Sequence, residues 1–179
     1  MKYLLSGQET DRIQFRNIEE TDFDKWLTFF QDPTSHMHWG IKMGTPEQEC
    51  QKWYALQKDR HSKNRGGMNA LIEKSTGQFM GHCGLLVQEV DQIIELEVGY
   101  SLLGKFRGRG FATEAAIKCR DFAFHNNLTK SLISIISFPN IPSQKVAELN
   151  GMKIEKSTKF HGIDVYIYRI TVNEWENLH

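Results

Sequence analysis

Gly104-Lys105-Phe106-Arg107-Gly108-Arg109-Gly110-Phe111-Ala112-Thr113-Glu114-Ala115 decides how the rest of the chain is read. Upstream, Glu95–Leu102 alternates strictly, with Leu96, Val98, Tyr100 and Leu102 on one face and Glu95, Glu97, Gly99 and Ser101 on the other. That is the period of a strand. Downstream, Ala115, Ala116, Cys119, Phe122 and Ala123 recur at helical spacing, predicting a helix from about Ala112 to Asn126. The Gly/Arg segment is therefore a strand-to-helix loop. Gly108 and Gly110 allow a tight turn and close approach of the backbone to a ligand. Their N–H groups and the positive end of the helix dipole make an anion site. Arg107 and Arg109 add donors suited to phosphate oxygens, and a pyrophosphate is the natural guest. No Walker Gly-Lys-Ser/Thr follows and the Rossmann glycine spacing is absent, which argues against a nucleoside triphosphate or a dinucleotide.

Working outward, Arg12–Arg16 reads as a short strand. Thr21, Asp22 and Asp24 open a helix with Phe23, Trp26, Leu27 and Phe30 as its apolar stripe, and Asp32-Pro33 ends it. Thr45-Pro46-Glu47-Gln48 is a capping box with proline at the first helical position, and predicts a second helix to about Lys58. Arg60–Gly67 reads as a loop. Met68–Ile72 and Phe79–Val87 read as strands around the turn Lys74–Gly77. Leu132–Phe138 is an apolar, β-branched run, predicting a buried strand. Pro142–Asn150 predicts a short helix stopped by Gly151. Met152–Phe160 and Ile163–Ile170 form a hairpin about His161-Gly162. The order β-α-α-β-β-β-α-β-α-β-β predicts an α/β (α+β) fold in one domain over residues 1–179. Its sheet is mixed and mostly antiparallel, flanked by helices.

Composition narrows the partners. With 40% hydrophobic and 25% charged residues the 179-residue chain is globular, and a disordered or fibrous reading is excluded. Twenty-two Lys+Arg balance 22 Asp+Glu, so no global field draws nucleic acid or an acidic membrane. Apolar runs such as Leu132–Ile136 fall far short of the ~20 residues of a membrane span. Gly7, Gln8 and Glu9 interrupt any signal-peptide core. Cys50, Cys83 and Cys119 are odd in number and widely spaced, suggesting neither a disulfide framework nor a zinc site. The expected setting is the cytoplasm, with no metal.

The residues Glu97-Val98-Gly99-Tyr100-Ser101-Leu102, followed by Arg107-Gly108-Arg109-Gly110-Phe111-Ala112-Thr113-Glu114-Ala115-Ala116, resemble the acetyl-CoA signature of the GNAT acetyltransferases. The pattern R-x-x-G-x-A is filled by Arg107, Gly110 and Ala112. Asn140-Ile141-Pro142-Ser143, then Val146, Glu148 and Leu149-Asn150-Gly151-Met152, is similar to the second motif of the branch that acetylates ribosomal-protein N-termini, the Rim-type branch. Gly104 stands where the family often has proline, Met152 where it has phenylalanine, and Ala147 where many members carry a tyrosine general acid.

The resemblance implies acetyl-CoA as co-substrate and a splay between the Glu97–Leu102 and Leu132–Phe138 strands, with pantetheine in the gap. Tyr100 and Leu102 backbone groups would pair with the pantetheine amides, and Arg107, Gly108, Arg109, Gly110, Phe111, Ala112 and Thr113 would form the phosphate loop. Amide formation needs a base for the amine, a donor for the oxyanion and a proton for the departing thiolate. Glu97 is the candidate base, with Glu95 as rival on the same face. Ser143 is the candidate acid in place of the missing tyrosine, or a helix cap. Asn140 would bond pantetheine or cap the short helix.

Other residues point to packing. His36 and His38, beside Trp39, lack a nearby acid or thiol and make a poor metal site; they lie where GNAT proteins meet their acceptor. Cys119 and Cys83 fall on core faces, which disfavours a covalent acetyl-cysteine route. The expected activity is transfer of acetyl to a primary amine, either a protein N-terminus or a small molecule, by direct attack, in a monomer or homodimer. A catalytically inactive CoA-binding domain is the first alternative. An RNA-binding module built on Arg107-Gly108-Arg109-Gly110 is the second, and neutral net charge argues against it.

Overall fold

The computed structural model describes residues 2–38 and 43–178; Trp39, part of the histidine segment singled out above, lies outside them. Seven strands form one sheet: β1 Ile13–Arg16, β2 Gly66–Glu73, β3 Phe79–Val90, β4 Ile93–Leu102, β5 Ser131–Ser137, β6 Lys153–Phe160 and β7 Ile163–Thr171. Their order is β1-β2-β3-β4-β5-β7-β6. All neighbours run antiparallel except β4 and β5, which are parallel and meet through a single register pair, Glu97 with Ile133. Beyond that pair the two strands part. This is the mixed, mostly antiparallel sheet that the element order predicts, with the central splay that the family resemblance implies.

The helices are α1 Phe23–Gln31, α2 Pro46–Ser62, α3 Phe111–His125, α4 Ile141–Leu149 and α5 Val172–Glu176. Side-chain alternation along β3 assigns them to faces. His82 points at Trp26 of α1 and Trp53 of α2, with ring centroids 4.4 and 4.3 Å away. Cys83 points the other way, its sulfur 3.5 Å from that of Cys119 on α3. Helices α1 and α2 thus cover one face and α3 and α4 the other. Cys50, Cys83 and Cys119 are all buried in this core.

Several boundaries move, each for a physical reason. Helix α1 starts at Phe23 rather than Thr21, after a 3₁₀ turn over Glu20–Asp22. The capping pair is Glu19 with Asp22, and Asp22 is itself buried against Arg16 at 2.6 Å. The buried stripe is Trp26, Phe29 and Phe30, while Phe23 and Leu27 stay half-buried. The capping box at Thr45 and Gln48 forms, but α2 runs one turn past Lys58. Arg60, read as loop, is buried and donates to the Val87 carbonyl at 3.0 Å, and that tertiary contact holds the extra turn helical. The β3–β4 hairpin is longer than the alternation indicates because Asp91 and Gln92 take φ of 50° and 67° and turn the chain tightly. The short helix α5 follows β7 directly, with Thr171 and Glu174 forming its capping box.

Candidate active site

The strand-to-helix loop lies where β4 leaves β5. Gly108 and Gly110 adopt φ of 69° and 81°, and Gly110 is the N-cap of α3. Only glycine takes this left-handed conformation without strain. The turn aims the first-turn N–H groups of α3, which have no intrahelical acceptor, into a cleft of about 560 Å³. Gly108, Gly110, Phe111, Ala112 and Thr113 line it from the loop, Tyr100 and Leu102 from β4, and Asn140 and Ser143 from α4. The loop is braced from outside. Arg12 ion-pairs with Glu114 at 2.6 Å, donates to the Arg109 carbonyl at 3.1 Å and stacks on Phe111. Thr10 donates to the same carboxylate. Nothing in the sequence pattern links residues 10 and 12 to this loop; sheet topology does.

The two arginines are engaged within the protein. Arg109 pairs with Glu73 at 3.1 Å, lies over Phe111 and stands outside the cleft wall. Arg107 lines the cleft, but its guanidinium donates to the Leu102 carbonyl at 2.9 Å and to the hydroxyls of Thr34 and Ser35. Partial burial pushes its pKa down, against the pull of Asp32. Among the described residues lining the cleft, the anion donors without a partner inside the protein are therefore backbone N–H groups and the exposed Lys145 ammonium, where the sequence suggested the two guanidinium groups. The Leu102 carbonyl, expected to face pantetheine, already has a partner.

A second cleft of about 380 Å³ adjoins the first, sharing His38, Tyr100, Ser101, Asn140 and Ser143 with it. Glu97 lines this second space. Its Oε2 accepts from Gln88 Nε2 at 2.7 Å, and Gln88 Oε1 accepts from Arg60 Nη2 at 2.8 Å. Burial pushes the Glu97 pKa up; the Gln88 bond, the Arg60 charge and the Ile135 N–H pull against it. Glu95, its rival, is held by Arg169 in a two-point ion pair at 2.6 and 3.1 Å. Glu95 is thus tied to Arg169, whereas Glu97 lines the second cleft. Gln88 and Arg60 were not singled out in the sequence. Their roles depend on β3 lying beside β4 and on the extra turn of α2.

On α4, Asn140 is the cap: its Oδ1 accepts the Ser143 N–H at 3.2 Å. Ser143 sits at the third helical position, so the capping alternative falls to Asn140 and the Ser143 hydroxyl lines both clefts. The Tyr100 hydroxyl donates to the Ser143 carbonyl at 2.8 Å, tying β4 to α4. Ala147 is fully buried and presents no proton donor. His36 Nε2 lies 3.3 Å from the Phe30 carbonyl, and no cluster of three metal-ligating side chains occurs among the described residues.

A splayed parallel pair, a glycine-turned helix start and two clefts that join between them define an acyl-transfer fold. The acetyltransferase (GNAT) domain family matches residues 12–153, and the chain belongs to that family. The uncharacterized protein YkkB of Bacillus subtilis (strain 168) is 30% identical over 162 residues, covering 89% of this chain and 92% of that one. Among solved structures, an acetyltransferase from Agrobacterium tumefaciens str. C58 superposes with a TM-score of 0.76 at 24% identity, over 91% of this chain and 92% of that one. Spermidine N-acetyltransferase from Vibrio cholerae, in complex with CoA and spermine, gives 0.73 at 14% identity, over 94% and 100%.

Proposed function

We propose that this GNAT protein moves the acetyl group of acetyl-CoA to a primary amine by direct attack. The observation that carries the reading is the junction of the two clefts at Tyr100, Ser101 and Ser143, with Glu97 on one side and the α3 N–H groups on the other. The larger cleft suits acetyl-CoA. The N–H groups of residues 108–113 would hold the pyrophosphate, and the β4 edge beyond Glu97 would pair with pantetheine as an added strand does. The Vibrio cholerae neighbour solved with CoA supports this assignment. Glu97 takes the amine proton, directly or through water. The amine nitrogen then bonds to the thioester carbonyl carbon and the C–S bond breaks. Ser143 passes its proton to the departing thiolate and recovers one, through water, from the attacking nitrogen, which loses its second proton as the amide forms.

The acceptor is a protein N-terminal amine, as in the Rim-type branch, or a small-molecule amine. The engaged guanidinium groups of Arg107 and Arg109 count against an RNA-binding role. Thiol release from acetyl-CoA across a panel of N-terminal peptides, polyamines and aminoglycosides tests the proposal. Calorimetry with CoA runs beside it. CoA binding without turnover on any amine would favour the inactive-domain alternative, and no CoA binding would remove the assignment.

A further inference from the structure

Arg107 opens the anion loop, yet its side chain points away from it, toward the turn that follows α1. Asp32 caps that turn: its Oδ1 accepts the Thr34 N–H at 2.9 Å and the Thr34 hydroxyl at 2.7 Å, and its Oδ2 accepts the Ser35 hydroxyl at 3.1 Å. With their protons committed to Asp32, both hydroxyls turn oxygen lone pairs outward. Arg107 meets both, Nη1 on Thr34 Oγ1 at 3.2 Å and Nη2 on Ser35 Oγ. Its third donor, Nε, holds the Leu102 carbonyl at the end of β4. One planar fork thus joins the cofactor strand to the turn. Three positions along the same segment, Thr34, Ser35 and His38, line the larger cleft. At its far end the His38 carbonyl accepts the Ser137 hydroxyl at 2.7 Å, from the end of β5. Residues 32–38 therefore run from the end of β4 to the end of β5, across the mouth of the gap where those strands part.

We infer that Arg107 is a positioning residue that fastens residues 32–38 as a strap over the cofactor cleft, so that the wall shared with the acceptor side is built from the cofactor strand. The inference rests on the proposed acetyl-transfer reading for its kinetic consequence, but not for its structural one. A bidentate fork is required, because two oxygens and a carbonyl are held at fixed angles. A lysine ammonium is a point charge and cannot span them.

The test compares Arg107→Ala, Arg107→Lys, the double substitution Thr34→Val/Ser35→Ala, and the combined variant. Amide hydrogen exchange of residues 34–38 should quicken roughly tenfold in Arg107→Ala and in the hydroxyl variant alike. The combined variant should be no worse than either, the mark of one shared interaction. Arg107→Lys should not restore protection. In turnover, KM for the amine should rise several-fold more than kcat falls. Unchanged exchange in Arg107→Ala would overturn the inference. So would roughly tenfold weaker CoA binding in Arg107→Ala with the hydroxyl variant unaffected, since that pattern means the guanidinium grips phosphate itself. Should the wild-type chain neither bind CoA nor release thiol, the acetyl-transfer reading fails, and exchange still decides whether the strap exists.

Discussion

Gln88 holds Glu97 from the neighbouring strand, donating Nε2 to Oε2 at 2.7 Å while its own Oε1 accepts from Arg60. The three side chains form a relay from a buried cation on α2 to a half-buried acid on β4. Two opposing effects meet at the acid. Burial raises its pKa, and the relay limits that rise. A carboxylate whose pKa is raised holds a proton more readily than an unperturbed one, which suits the role of general base proposed for Glu97.

Glu97→Gln keeps shape and removes the charge. At pH 7 the rate should fall by around 10²-fold, within the general-base range. An alkylamine is largely protonated there, with a pKa near 10, while a peptide α-amine near 8 needs less help. The deficit should therefore shrink as pH approaches the pKa of the acceptor. A pH–rate profile beside Glu95→Gln checks this. A deficit equal at every pH would assign Glu97 to substrate positioning.

Gln88→Leu acts on the same base indirectly. It removes a hydrogen bond to the charged carboxylate, so the Glu97 pKa should rise further. The acid limb of kcat/KM should move to higher pH, with the plateau rate largely kept. The variant also strands Arg60 Nη2, at a stability cost of about 1–3 kcal/mol. A destabilised protein with an unmoved acid limb would reduce Gln88 to packing.

How far the sequence carries the site depends on where each contact comes from. The glycine turn into α3 is legible because Gly108 and Gly110 serve a local backbone need, and β4 because its alternation is unbroken from Glu95 to Leu102. The capping boxes at Thr45 and Thr171 are local too. Arg60 was read as loop because its burial is created by β3, 27 and 28 residues further on. The engagement of Arg107 by Thr34 and Ser35 spans 73 and 72 residues and has no periodic signature. Charged side chains carry the least local information, since their partners are set by topology.

Ser143→Ala separates chemistry from capping. The Asn140 side chain, not that of Ser143, accepts the orphan N–H of α4. Ser143→Ala should therefore leave the melting temperature nearly unchanged while lowering kcat by roughly 10–100-fold, at the weak end of acid–base effects. Asn140→Ala should cost about 1 kcal/mol of stability, the usual loss for a cap. Normal turnover in Ser143→Ala would leave thiolate protonation to solvent.

Gly110→Ala tests the loop backbone. At φ of +81° a Cβ is strained by about 1–2 kcal/mol wherever it points. It would also lie 3.4 Å from Arg12 Nη2, the brace of the loop. CoA affinity should fall, and Gly110→Val should be worse because a branched side chain adds bulk beside the N–H groups. Calorimetry with CoA reads both. Unchanged affinity would mean that the α3 N-terminus does not hold the pyrophosphate.

Acid stability should be governed first by His82. The residue is fully buried, and Trp26 and Trp53 pack within 4.5 Å of its ring between centroids. Burial pushes its pKa down to about 3, against the opposing pull of Asp22. In the unfolded chain it titrates near 6.5. Between those values the unfolded state binds the proton and the folded state does not, so stability rises with pH across that window. It is fully present above about pH 6.5 and is lost as pH falls toward 3. The span corresponds to a few kcal/mol, on the order of 1.4 per pH unit. Asp22 works lower. Its folded pKa is depressed by Arg16 and the Glu19 N–H despite burial, so its contribution is lost only below about pH 4. His82→Phe keeps an aromatic ring in the nest and removes the titration. Urea unfolding at pH 7.5, 5.5 and 4.5 should show wild-type stability dropping steeply while the variant falls less, its remaining slope set by His61, whose pKa burial also lowers, until Asp22 protonates. Parallel slopes in the two proteins would mean that another group sets the acid limit.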